Sequence, residues 1–161
     1  ERNIRSGTEN VPGIMGLAKA FSLVCENREV ENARLTVLRD RLVNGLLEIP
    51  KTRLNGHPKE RLPNSANISF LDIEGEAAVL YLDAQGIMAS TGSACASTSL
   101  DPSHVILATG LSYEAAHGSM RFTLGHMTTE QDIDKVIEVM PAIVERLRKM
   151  SPVNLDMKYF G

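Results

Sequence analysis

The residue best suited to chemistry in this sequence is Cys95. It sits in Thr91-Gly92-Ser93-Ala94-Cys95-Ala96-Ser97-Thr98-Ser99, a run of small and hydroxyl residues. Such a run buries too little apolar area to offset the entropy of ordering it, so a mobile loop is expected. A thiol carried there is accessible, and reactivity requires access together with thiolate character. The helix start expected at Asp101-Pro102 adds positive potential nearby, which the Asp101 carboxylate offsets. The plainer alternative is a small residue packed in a turn. The second thiol, Cys25, lies on an apolar stripe with Phe21 and Val24 and reads as a buried, inert core residue.

Arg121 lies between Met120 and Phe122 in an alternating stretch, so its side chain points away from theirs. An arginine on the polar face of a strand can clamp a carboxylate through two parallel hydrogen bonds. It can equally be a solvated member of a surface ion pair. His117, four residues earlier, is either a proton shuttle or a histidine favoured by a helix C-terminus. His57, His104 and His126 have no metal-ligand spacing, and no intrinsic metal site is expected. Arg5-Ser6-Gly7-Thr8-Glu9-Asn10 offers a glycine turn, hydroxyls and free N–H groups ahead of a helix, the parts of a phosphate site, although Glu9 works against an anion.

The elements that must position these residues are legible in the periodicity. Val11, Ile14, Met15, Leu17, Ala18, Phe21 and Val24 recur at helical spacing, and Leu35, Leu38, Leu42, Leu46 and Leu47 resume the stripe. They predict one long helix, or two in succession, capped by Asn10, with Pro12 in its first turn and an end near Ile49-Pro50. Residues 51–65 read as a surface connection. Residues 67–73 alternate as a strand, Glu76 to Gln85 form a helix closed by Gly86, and Ile87 to Ser90 form a second short strand. Asp101-Pro102 opens a helix that Gly110 stops, and a short helix spans 112–117. A third strand runs through Met120 to Leu124. Thr128 caps a last long helix whose stripe runs from Ile133 to Leu147. The fold class is therefore α+β, a three-stranded sheet covered by helices.

Bulk properties narrow the function. The chain has 161 residues, 43% hydrophobic and 23% charged, with a net charge of −3. Those values fit one globular domain, or one domain and part of another. No Lys/Arg stripe interleaved with aromatics points to nucleic acid, and no apolar run reaches the roughly 18 residues of a membrane span. Two cysteines are too few for a disulfide framework, so a reducing, cytoplasmic setting is expected. The chain opens Glu1-Arg2-Asn3-Ile4-Arg5 with no hydrophobic stretch behind it, which reads as the middle of a longer protein.

Taken together, Arg5-Ser6-Gly7-Thr8, then Thr91-Gly92-Ser93-Ala94-Cys95, then His117-Gly118-Ser119-Met120-Arg121-Phe122-Thr123-Leu124-Gly125 stand in one order and at matching intervals. In this the chain resembles the NifS/IscS-type cysteine desulfurases of the class-V aminotransferase family, from Glu1 to about Pro152. The resemblance implies the small C-terminal domain of a fold-type I pyridoxal-phosphate enzyme, with a long linking helix. Residues 1–25 would end the large cofactor domain, 26–150 would form the small domain, and 151–161 a tail. It implies that Cys95 attacks the sulfur of L-cysteine and becomes a persulfide while the substrate becomes L-alanine. Arg121 would hold the substrate carboxylate. Thr8 would reach the cofactor phosphate of the other subunit in a homodimer. The long loop around Cys95 resembles the IscS-like group.

The resemblance further implies iron–sulfur scaffold proteins (IscU/NifU-like) or other sulfur acceptors as partners. The tail after Pro152 resembles the region that docks the scaffold, and Cys95 would be a transient ligand of a shared 2Fe-2S cluster. One departure is plain. The Schiff-base lysine of these enzymes lies in a Ser/Thr-x-His-Lys segment, and none of Lys19, Lys51, Lys59, Lys135, Lys149 or Lys158 has those neighbours. The aspartate that pairs with the cofactor ring nitrogen is absent too. Activity is thus expected only with the N-terminal part of the same enzyme. The alternatives are a non-catalytic persulfide carrier or docking module, a Cys-His hydrolase, and a relative acting on another amino acid.

Overall fold

The computed structural model describes residues 6–92 and 101–160. Helix α1 runs unbroken from Val11 to Leu47. The Asn10 side chain accepts from the Gly13 N–H at 3.1 Å and Pro12 lies in the first turn, so an orphan donor is satisfied where proline costs nothing. The two halves of α1 differ. Leu35, Leu38, Leu42 and Leu46 are buried, each contributing about 2 kcal/mol of burial. Val11, Ile14, Met15, Leu17, Phe21 and Val24 are exposed.

Three strands follow in a purely antiparallel sheet of order β1-β2-β3: β1 Thr52–Leu54, β2 Ser65–Phe70 and β3 Ser119–Thr123. Ile68 pairs with Met120 and Ala66 with Phe122. These residues and Phe70 turn one face of the sheet into the core. Against it pack α1, α2 (Gly75–Asp83) and α5 (Glu130–Met150), whose Ile133, Val136, Met140, Val144 and Leu147 form the apolar stripe. Two short helices, α3 (His104–Ala108) and α4 (Tyr113–Ala116), join Leu71, Leu111 and the tail residue Phe160 in a second, smaller cluster.

Several expectations need correction. The third strand is Thr52–Leu54, within the stretch read as a connection; Ile87–Ser90 contributes only a bridge from Ser90 to Arg121. A three-residue strand is too short to display a period of two, and its pairing is supplied by β2. Asp101 caps no helix: Ser103 precedes α3, and the Asp101 carboxylate accepts from the Tyr113 hydroxyl at 3.0 Å. The α5 cap is Thr129, which with Asp132 forms a reciprocal capping box. Thr128 accepts from the Gly125 N–H instead. Cys25 is exposed, because the stripe it shares meets no partner among the described residues.

Candidate active site

The polar face of the sheet holds the candidate site. Alternation along β3 buries Met120 and Phe122 and leaves Arg121 exposed on the opposite side. Arg121 lies across from Asn67 of β2 on one side and Ser90 on the other. The Arg121 N–H donates to the Ser90 carbonyl at 2.6 Å and the Ser90 N–H returns a bond at 3.2 Å. No side-chain hydrogen bond or ion pair engages the Arg121 guanidinium among the described residues, so the surface ion pair considered from sequence is not formed there.

The start of β3 is held against the turn that follows β2. The Phe70 N–H donates to the Gly118 carbonyl and the Gly75 N–H to the His117 carbonyl, both at 3.0 Å. Asp72 in that turn adopts a left-handed backbone with φ of 67°. His117 is half-buried; its ring meets Tyr113 edge-on at 5.0 Å, and its Nδ1 lies 4.0 Å from the Glu74 carboxylate. The Tyr113 hydroxyl, donating to Asp101, is held above its ordinary pKa by that bond. At the other end of β3, the Arg34 guanidinium of α1 donates to the carbonyls of Thr128, Gly125 and His126 while paired with Glu31. Arg121 thus rides on a strand fastened at both ends.

Two residues that sequence reasoning passed over complete the polar face. Asn55 is buried, and its Nδ2 donates to Asn67 Oδ1 at 2.6 Å and to Ser69 Oγ at 2.8 Å. Asn67 was visible as a polar position in an alternating strand, but its place opposite Arg121 depends on a register between segments more than fifty residues apart.

The candidate residues are not all brought together. Cys95 lies outside the described residues; Gly92, which precedes that segment, is bonded through its carbonyl to the Ser90 hydroxyl at 2.8 Å. Thr8 precedes α1, next to Gly7 with φ of 88°. It stands beyond the end of the helix away from the sheet; Val11, the first helical residue, is already about 36 Å along the axis from Leu35, the first buried residue of α1. Among the described residues no helix is long and apolar enough to cross a membrane. None groups three or more His, Cys, Asp or Glu as a metal would need.

Residues 1–136 match the family described as aminotransferase class-V. Curated relatives include "Cysteine desulfurase IscS" of Methanosarcina thermophila, 58% identical over 153 residues, 95% of this chain and 38% of the relative. "Cysteine desulfurase IscS 1" of Archaeoglobus fulgidus is 51% identical, covering 95% of this chain and 40% of its own length. The chain therefore spans about two-fifths of these relatives. Among solved structures, a "NIFS-LIKE PROTEIN" superposes with a TM-score of 0.74 at 31% identity over 91% of this chain and 36% of its own. A NifS-like protein from Rickettsia africae gives 0.76 at 30% identity, over 88% of this chain and 37% of its own.

Proposed function

This chain belongs to the class-V aminotransferase family, and from that we propose that it is the C-terminal part of a pyridoxal-phosphate-dependent cysteine desulfurase. The observation that carries the reading is the exposed guanidinium of Arg121, unpaired among the described residues, on a strand bonded to Ser90 five residues ahead of Cys95 in the sequence. A carboxylate is the partner such a planar fork matches best.

The chain's own residues divide the work. Arg121 binds the α-carboxylate of L-cysteine and orients it. Cys95, as thiolate, attacks the substrate sulfur: an S–S bond forms and the substrate C–S bond breaks. The electron pair of the broken bond stays on carbon, which takes a proton and leaves as L-alanine. The cofactor supplies the electron sink for that bond cleavage. Cys95 follows Ser90 by five residues, and five residues of chain reach at most about 18 Å.

Cofactor binding is shared with the rest of the protein. Thr8 suits a phosphate: it carries a hydroxyl, follows a left-handed glycine and stands before a helix whose first turn holds no acidic residue. None of the six lysines follows the Ser/Thr-x-His pattern of a Schiff-base lysine. Lys51 is committed to Asp72 and the tail, and Lys135 and Lys149 pair with Glu138 and Glu145. The Schiff-base lysine belongs to the N-terminal part of the enzyme. Residues 1–25 close the large domain, and that domain covers the exposed stripe on α1; residues 26–150 form the small domain, with 151–161 as tail. Thr8 serves the second subunit of a homodimer. The persulfide passes to an iron–sulfur scaffold or another acceptor in a reducing cytoplasm, and Cys95 is a transient ligand of a 2Fe-2S cluster shared with that scaffold.

The test uses the full-length enzyme with L-cysteine and a reductant, following sulfide and alanine. The wild type releases both, and Cys95→Ser releases neither. Normal sulfide release by Cys95→Ser overturns the assignment.

A further inference from the structure

The Asn67–Arg121 pair is of the close kind. The backbone groups of Arg121 turn outward to Ser90, and the Asn67 carbonyl turns outward to the Asn55 N–H at 2.9 Å. The two residues therefore face each other without hydrogen bonds between them, the arrangement that brings Cα atoms to about 4.5 Å and side chains onto the same face side by side.

Asn55 fixes which way the Asn67 amide points. Both hydrogens of Asn55 Nδ2 are used, on Asn67 Oδ1 and Ser69 Oγ. Turning the Asn55 amide over would leave its NH2 group buried and empty, a larger loss than the one acceptor, Oδ1, that is unmatched as it stands. With its oxygen held by Asn55, Asn67 directs its Nδ2 the other way, and no described residue accepts from it. Asn67 Nδ2 and the Arg121 guanidinium are thus neighbouring donors with no acceptor for either among the described residues. An incoming acceptor with two oxygens, a carboxylate above all, satisfies both at once.

We propose that Asn67 is a second residue binding the substrate α-carboxylate, donating from Nδ2 beside Arg121, with Asn55 as the positioning residue that aims it. This rests on the desulfurase reading and on the carboxylate role of Arg121.

The test compares L-cysteine with L-cysteinamide, which lacks the carboxylate, on full-length, cofactor-loaded enzyme. Asn67→Ala raises KM for L-cysteine by roughly ten- to a hundredfold, the size of one hydrogen bond to a charged group, with kcat little changed. With cysteinamide, Asn67→Ala matches the wild type. Asn67→Asp is worse than Asn67→Ala on L-cysteine, because a second carboxylate repels the first. If the amide turns over too slowly, competitive inhibition by L-alanine against L-alaninamide gives the same comparison. If Asn67→Ala does not fold, Asn67→Ser takes its place. An equal penalty on both substrates, or an unchanged KM for L-cysteine, overturns the proposal. Arg121→Gln run in parallel separates the two claims. If it raises KM for L-cysteine and Asn67→Ala does not, only this inference falls; if it leaves KM unchanged, the carboxylate role of Arg121 falls first.

Discussion

Gly118 lies so close to the carbonyl of Phe70 that a methyl group on it would overlap the oxygen. The same carbonyl-bearing turn accepts no compromise from the other side, since the Phe70 N–H is already bonded to the Gly118 carbonyl. Gly118→Ala must therefore push β2 and the start of β3 apart. The expected cost is about 1–3 kcal/mol of stability, as for other overpacked sites, read as a lower urea midpoint. An unchanged midpoint would show that the two segments separate freely.

One ammonium group ties the start of the tail to the sheet. Lys51 Nζ donates to Asp72 at 2.7 Å, to Asn154 Oδ1 at 2.6 Å and to the Leu155 carbonyl at 2.8 Å. Asp72 in turn accepts from the Leu155 N–H at 2.5 Å. Its side chain is only 6% exposed, so removing the lysine strands a carboxylate away from water. Lys51→Met is expected to cost about 2 kcal/mol and to expose residues 151–156 to proteolysis. Hydrogen exchange at the Leu155 amide measures it directly, and protection equal to wild type would refute the clasp.

The α5 cap gives a pH signature. Hydrogen bonds from the Thr129 N–H and hydroxyl hold the Asp132 carboxyl below its ordinary value of 3.8. A carboxyl depressed on folding stabilises the fold above that ordinary value, and the contribution is lost as pH falls through the lower, folded value. Asp132→Asn should flatten the acid limb of the stability curve. Thr129→Ala should cost about 1 kcal/mol at neutral pH and flatten the same limb. Thermal melts from pH 2 to 7 decide it; an acid limb as steep in both variants as in wild type would rule the linkage out.

Local signals carried much of this architecture. The leucine stripe of α1, the alternation of β2 and β3, and the stripe of α5 each name their element from nearby residues alone. What escaped is non-local. Thr52–Leu54 is a strand only because β2 offers it an edge, whereas Ile87–Ser90, more apolar, finds one bridge and no ladder. Cys25 shows the limit from the other side: periodicity announces that a helical face will be covered, and says nothing of whether the cover lies in the same 161 residues. In the site, Arg121 was legible from its neighbours. Asn67 and Asn55 were not, because their meaning lies in a register and in a hydrogen bond across strands.

Helix α1 has a mechanical consequence. Between Gly16 and Gly45 it contains neither glycine nor proline, the residues at which helices bend sharply. At 37 residues it is about 55 Å long, a stiff beam bolted to the sheet at one end by Arg34 and the leucines. A displacement imposed on its exposed end is carried along the helix to β1, β2 and α5, on which it packs, and through Arg34 to the segment that leaves the strand bearing Arg121.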